Sequence, residues 1–132
     1  MTLQSVTVYQ RINASPARVW ERITTPEGIA PWWRPGNIAP ILGHEFTVDM
    51  DRWGKIPCRV IEIAPEIKIA YTFGDFELHW IITPDGDGCV LRLEHRGFDL
   101  TNPEHRFAFD NMGSGWRDVV LPRLATDVSG AA

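Results

Sequence analysis

Long apolar runs are missing from this chain. No stretch approaches the roughly 18 residues a membrane helix needs, so no membrane insertion is expected. A basic excess is missing too: 13 Lys and Arg stand against 17 Asp and Glu, a net charge of −4, with no basic run. That argues against nucleic acid and anionic membranes as partners. Cysteine is scarce. Cys58 and Cys89 lack CxxC spacing and a nearby His cluster, and read as two buried thiols in a reducing cytoplasm rather than as a disulfide. The opening MTLQSVTVYQ has neither the basic nor the apolar region of a signal peptide, so a cytoplasmic location is expected. There is no phosphate loop or dinucleotide fingerprint, and Ser114 has no strand-turn-helix context of a nucleophile elbow. Asp85-Gly86-Asp87-Gly88 lacks the spacing and distal glutamate of a calcium loop and reads as a hairpin turn. No cofactor and no metal is expected.

What is present fits one domain over residues 1–132, with a core from about 5 to 126, long enough to bury roughly two-thirds of its unfolded surface. Six tryptophans either fill the interior or line a pocket. The stretch from Thr101 to Val128 organises the rest. Asn102-Pro103 opens a helix, and Phe109, Met112, Trp116, Val120 and Leu124 recur at helical spacing on one face. Gly113-Ser114-Gly115 interrupts that face. Each glycine costs about 1 kcal/mol relative to alanine in a helix, which close approach to a sheet or room for a ligand would offset. Pro122 is expected to bend the last turns.

Upstream, Ser5 to Ile12 alternates as a half-buried strand. Ser15-Pro16 caps a short helix with Val19, Trp20 and Ile23 inward, and Thr25-Pro26-Glu27 caps a second that ends at Pro31. After the loop 34–43, five strand-like runs follow: His44–Arg52, Ile56–Ala64, Lys68–Phe73, Phe76–Thr83 and Cys89–Phe98. Short turns make them an antiparallel meander, about six strands with the first. Requiring one apolar face throughout fixes a register. A turn at Gly74-Asp75 pairs Phe73 with Phe76, Tyr71 with Leu78 and Ile69 with Trp80. A turn at Asp85-Gly86 pairs Trp80 with Leu91, Leu78 with Leu93 and Phe76 with His95. A three-residue turn at Pro65–Ile67 sets Ile63 against Ile69 and Ile61 against Tyr71. Met50, Arg59, Phe73, Phe76 and His95 then form one inner row, and His44 and His79 are solvated outside it.

Ala14-Ser15-Pro16-Ala17-Arg18-Val19-Trp20, Thr25-Pro26-Glu27-Gly28-Ile29, Trp32-Trp33, Tyr71-Thr72-Phe73, the run Gly88 to Phe98, and Gly115-Trp116 with Leu121 and Leu124 together resemble START-like (SRPBCC, Bet v 1-type) domains. Within that superfamily they are most similar to the group named after the activator of heat-shock protein 90 ATPase. The pattern departs from that group at Pro31 and Pro122. The resemblance implies an α+β helix-grip fold: a curved antiparallel sheet of about six strands, two short helices after the first strand, and a long C-terminal helix packed on the concave face.

The function expected is binding of a small apolar ligand between sheet and helix. Its site would draw on Trp32, Trp33, Met50, Arg59, Tyr71, Phe73, Phe76, Trp80, His95, Phe109, Met112 and Trp116. Trp32 and Trp33 would form a lid with a ring partly exposed. Arg59 on the inner face would favour an acidic head group. Two alternatives follow from the resemblance: a module regulating a chaperone ATPase, with a chaperone or a second copy of the chain as partner, and a cyclase- or dehydratase-like enzyme with His95 as its acid/base group.

Overall fold

The computed structural model describes residues 3–130; positions 1, 2, 131 and 132 of the expected domain lie outside the described residues. β1 (Gln4–Ile12) is followed by α1 (Pro16–Thr24) and α2 (Pro26–Ile29). Ser15 Oγ accepts from the Arg18 amide and Thr25 Oγ1 from Gly28, so both helices start at the caps the sequence offers, each with proline in its first turn. The strands β2 (Glu45–Asp49), β3 (Lys55–Ala64), β4 (Lys68–Phe73), β5 (Phe76–Asp85) and β6 (Gly88–Phe98) complete one antiparallel sheet of order β1-β6-β5-β4-β3-β2. The loop after α2 covers the β2 edge: Gly36 bridges Val48, and Asp49 donates its amide to the Pro35 carbonyl.

The C-terminal helix is continuous in path but not in winding. α3 (Pro103–Gly115) passes through one wider π turn, Trp116–Val120, into α4 (Leu121–Gly130). Pro122 has no N–H to give residue 118 and its ring crowds that carbonyl, so the wide turn falls immediately before it. α4 buries Leu121, Leu124 and Val128, whereas no residue of α3 is fully buried. The helix packs chiefly along β1, with α3 also touching β6 and α4 touching α1. The β2–β4 side of the concave face is left uncovered by it. Among the described residues no helix is long and apolar enough to cross a membrane.

The β4–β5 register is the expected one, Phe73↔Phe76 through Ile69↔Trp80. Two others differ. The β5–β6 turn falls at Gly86-Asp87, where Gly86 takes a φ of 59°, so Leu78 faces His95 and Trp80 faces Leu93. The shift is two residues, so every side chain keeps its face. In β3 the expected three-residue turn and the Ile63↔Ile69 pair are present. A bulge then inserts Ile61 between Val60 and Glu62, and Val60 takes the place opposite Tyr71. That odd-numbered slip inverts the rest of the strand. Cys58 and Val60 are buried, Ile61 is 40% exposed, and Arg59 is turned to the outer face opposite Glu45. The inner row Met50-Arg59-Phe73-Phe76-His95 is therefore corrected: Arg59 is not in it, and Met50 lies beyond the end of β2.

His79 does point outward, but it is buried rather than solvated. Its cross-strand partners are Ala70, small enough to leave the imidazole lying on the sheet, and Glu94, which Arg92 and Arg96 hold. Its Nε2 meets Glu77 at 2.8 Å.

Candidate functional site

Packing the helix on β1 and β6 leaves an apolar cleft of about 1120 Å³ between α3 and the other half of the concave face. Three levels of the chain build it. Trp33, Phe73 and Trp116 form the inner wall; Trp33 is placed by its backbone N–H, which donates to the Ile29 carbonyl at the end of α2, 2.9 Å. Met50, Trp53 and Ile56 come from the β2–β3 connection and the start of β3, and Phe76 from the start of β5. The α3 face carries Glu104, Ala108, Met112 and Gly115 with Phe107 and Asn111 beside them, spaced three and four apart. Trp53 and Phe107 are each 62% exposed, apolar rings at the open side.

The inner wall is one aromatic cluster. The Trp33 ring lies 5.4 Å from Trp116, 5.7 Å from Phe73 and 6.1 Å from Trp80, and Trp80 meets Trp116 edge-on at 5.8 Å. Buried indole N–H groups need acceptors, and three find them. Trp32 donates to the Arg22 carbonyl at 3.1 Å, Trp80 to the Tyr71 hydroxyl at 3.0 Å, and Trp116 to His95 Nδ1 at 3.1 Å. The third bond orients the Trp116 ring in the wall, and the other two hold Trp32 and Trp80 behind it.

Of the twelve residues expected at the site, Trp33, Met50, Phe73, Phe76, Met112 and Trp116 line the cleft. Trp32, Tyr71, Trp80 and His95 stand behind that lining, buried and supporting it. Trp32 and Trp33 are 1% and 9% exposed, so neither is an exposed lid ring. Phe109 packs on Phe98 at 5.3 Å and does not line the cleft. Arg59 lies on the outer face, in a separate depression with Glu45, Thr47 and Thr72. The guanidinium expected to hold an acidic head group is therefore not in this cleft.

His95 is fully buried among Phe76, Phe98, Phe73 and Trp116. An indole N–H can only donate, so His95 Nδ1 is the acceptor and the ring is neutral with its proton on Nε2. Burial pushes its pKa down to about 3. Among the described residues Nε2 has no hydrogen-bond partner. Neutral near pH 7, His95 stands behind the lining rather than in it. Burial also raises the Tyr71 hydroxyl well above its ordinary range and the Cys58 thiol to about 12, so both stay protonated.

The histidine that does line the cleft is His105, in the first turns of α3. Its Nδ1 accepts the Asp99 amide at 3.1 Å, which leaves Nε2 as the donor to Asp75 Oδ2 at 3.3 Å. Its ring lies 4.8 Å from Phe76. Both nitrogens are engaged by the protein, and the side chain ties α3 to the Gly74-Asp75 turn. Gly97 prepares this junction: it is the extra residue of a bulge between Ser5↔Arg96 and Gln4↔Phe98, with a φ of 100° that glycine tolerates.

Sequence reasoning missed Asp75, Trp53, Glu104, His105 and Phe107. Trp53 and Asp75 sit in turns, which a strand-by-strand register does not place. The α3 residues form a second stripe at helical spacing, adjacent to the one that was followed. Among the described residues no group of three His, Cys, Asp or Glu is arranged to hold a metal ion.

The family profile described as activator of Hsp90 ATPase homolog 1-like protein matches residues 13–126. A comparison with curated proteins returned no match. Among solved structures, protein BH1534 from Bacillus halodurans is 25% identical with a TM-score of 0.82, over 97% of this chain and 99% of that one. Protein MLL2253 from Mesorhizobium loti is 25% identical with a TM-score of 0.80, over 96% and 95%. The fold is also that of the Aha1 dimer from Colwellia psychrerythraea, TM-score 0.80 at 16% identity, over 95% and 96%.

Proposed function

The chain belongs to the activator of Hsp90 ATPase homolog 1-like family, and from that premise we propose that it binds a small, mainly apolar molecule between the concave sheet face and its C-terminal helix. The observation that carries this reading is the cleft itself: about 1120 Å³, walled by Trp33, Ile56, Phe73, Met112 and Trp116. An apolar, preformed concavity with few polar groups is what small-molecule sites require. A ligand burying about 300 Å² of apolar surface gains roughly 7 kcal/mol at 25 cal/mol per Å². Loss of its translational freedom offsets part of that. His105 engages both ring nitrogens with Asp99 and Asp75, and His95 stays behind the wall; that favours holding a molecule over proton transfer to it.

The test uses the neutral fluorescent probe N-phenyl-1-naphthylamine with the intact protein. Saturable binding is expected. A Cβ at Gly115 would meet nothing within 4 Å, and Gly115 lines the cleft. Gly115→Leu should therefore fill the cleft and weaken the probe at least tenfold while thermal unfolding remains cooperative. Unaltered probe binding in that variant would place the probe elsewhere and overturn the reading.

A further inference from the structure

The charged side chains that line the cleft are of one sign, and this discriminates between head groups. Its lining includes two carboxylates, Asp75 and Glu104, and neither lysine nor arginine. Asp75 gives only one oxygen to His105 and its side chain is 81% exposed. His105 is the neutral partner in that bond by the donor argument above. Both carboxylates share the cleft lining with the Phe76 and Phe107 rings. Asp75 precedes Phe76, Glu104 is one helical turn from Phe107, and His105 links the two sides at 3.3 Å from Asp75 and 4.8 Å from Phe76. At the inner end, Trp33, Phe73 and Trp116 carry no charge.

On the premise that the cleft binds small molecules, we propose that its ligands are hydrophobic cations: an apolar body against Trp33 and Trp116, and an ammonium group at the Asp75–Glu104 mouth, faced by Phe76 and Phe107. A cation gains there from carboxylates and from the negative faces of aromatic rings together. A carboxylate ligand would meet repulsion with no guanidinium in the lining to offset it, because Arg59 is on the outer face. The α3 N-terminus does not reverse this. Asn102 Oδ1 already takes the Glu104 amide, and the Glu104 carboxylate itself sits in the first turn. Arg52 stacks over the Trp53 ring at 5.2 Å and does not line the cleft, and Arg106 lies 4.0 Å from Asp110.

The experiment displaces N-phenyl-1-naphthylamine with three ligands sharing one tail, decyltrimethylammonium, decanol and decanoate, below their aggregation limits at pH 7.5. The cation is expected to displace the probe at roughly tenfold lower concentration than decanoate, with decanol between. High salt should narrow that ratio. Asp75→Asn and Glu104→Gln should each reduce it several-fold, and Glu27→Gln, on α2 and outside the cleft, should leave it intact. Equal or better displacement by decanoate overturns the proposal while the cleft reading stands, as does a ratio that Glu27→Gln lowers as much as Asp75→Asn. A neutral probe that does not bind removes the cleft reading, and this proposal with it.

Discussion

His95 shows how one side chain can look functional by type and be structural by position. Its strand spacing puts it inside, as the sequence implied, but two strands and the helix close over it completely. The indole of Trp116 then dictates its tautomer. A measurable consequence is pH dependence. The folded pKa is about 3, against about 6.5 in the unfolded chain. The unfolded state therefore takes up the proton first as pH falls. The stability tied to neutral His95 is present above pH ~6.5 and lost as pH falls toward ~3, with a slope approaching 1.4 kcal/mol per pH unit. Carboxylates contribute acid sensitivity of their own, so the comparison is with His95→Gln, whose amide oxygen can still accept from Trp116. Between pH 6 and 4 the wild-type advantage over the variant should shrink by about 2–3 kcal/mol in urea titrations. Parallel stability curves would mean that His95 protonates without cost in the fold. Arg59 is the opposite case. Nothing in its residue type errs; a bulge two positions away, at Ile61, turns it over.

At the scale of elements, legibility followed the strength of the local pattern. β4 and β5 are joined by a two-residue turn flanked by Phe73 and Phe76, and their pairing was readable to the residue. β3 was not, because Val60 and Ile61 are adjacent apolar residues and either can face inward. Only packing against Tyr71 selects Val60. The helix face was readable, as was a disturbance near Pro122, but the wide turn that absorbs it has no side-chain signature. Both glycines of the notch were assigned a role, and the structure separates them. A Cβ at Gly113 would lie 3.0 Å from Val6 Cγ1, on the β1 side, whereas one at Gly115 would meet open space. Close approach belongs to the first glycine and the cleft to the second. Gly115→Ala should therefore stabilise the protein by about 0.5–1 kcal/mol through helix propensity alone. Gly113→Ala should gain less or lose, and Gly113→Leu should cost about 1–3 kcal/mol from overpacking against β1. Equal effects of alanine at the two positions, measured by chemical denaturation, would show that β1 yields freely.

For the whole molecule, the division of the helix matters more than its length. α4 is bound by Leu121, Leu124 and Val128 and touches α1 and β1, while α3 has no fully buried residue and spans the cleft on partly buried ones. Such an arrangement gives one end of the helix the stability of the core and leaves the other a low opening free energy. The same reasoning applies across the sheet. β5 and β6 lie between neighbours on both sides, whereas the Asp51–Trp53 turn carries no buried residue. A ligand entering between these two loosely held segments would contact both at once. Amide exchange should accordingly be slowest in β5, β6 and α4, and fastest in the first turns of α3 and in residues 51–53. Saturation with a cleft ligand should slow exchange in those two fast segments by tenfold or more, through the linkage of binding to local opening. β5 should change little beyond what global stabilisation imposes. Protection appearing only uniformly, with no excess in α3, would indicate that the ligand stabilises the fold without bridging helix and sheet. An excess confined to the outer-face depression around Arg59 would locate the binding site on the other side of the sheet.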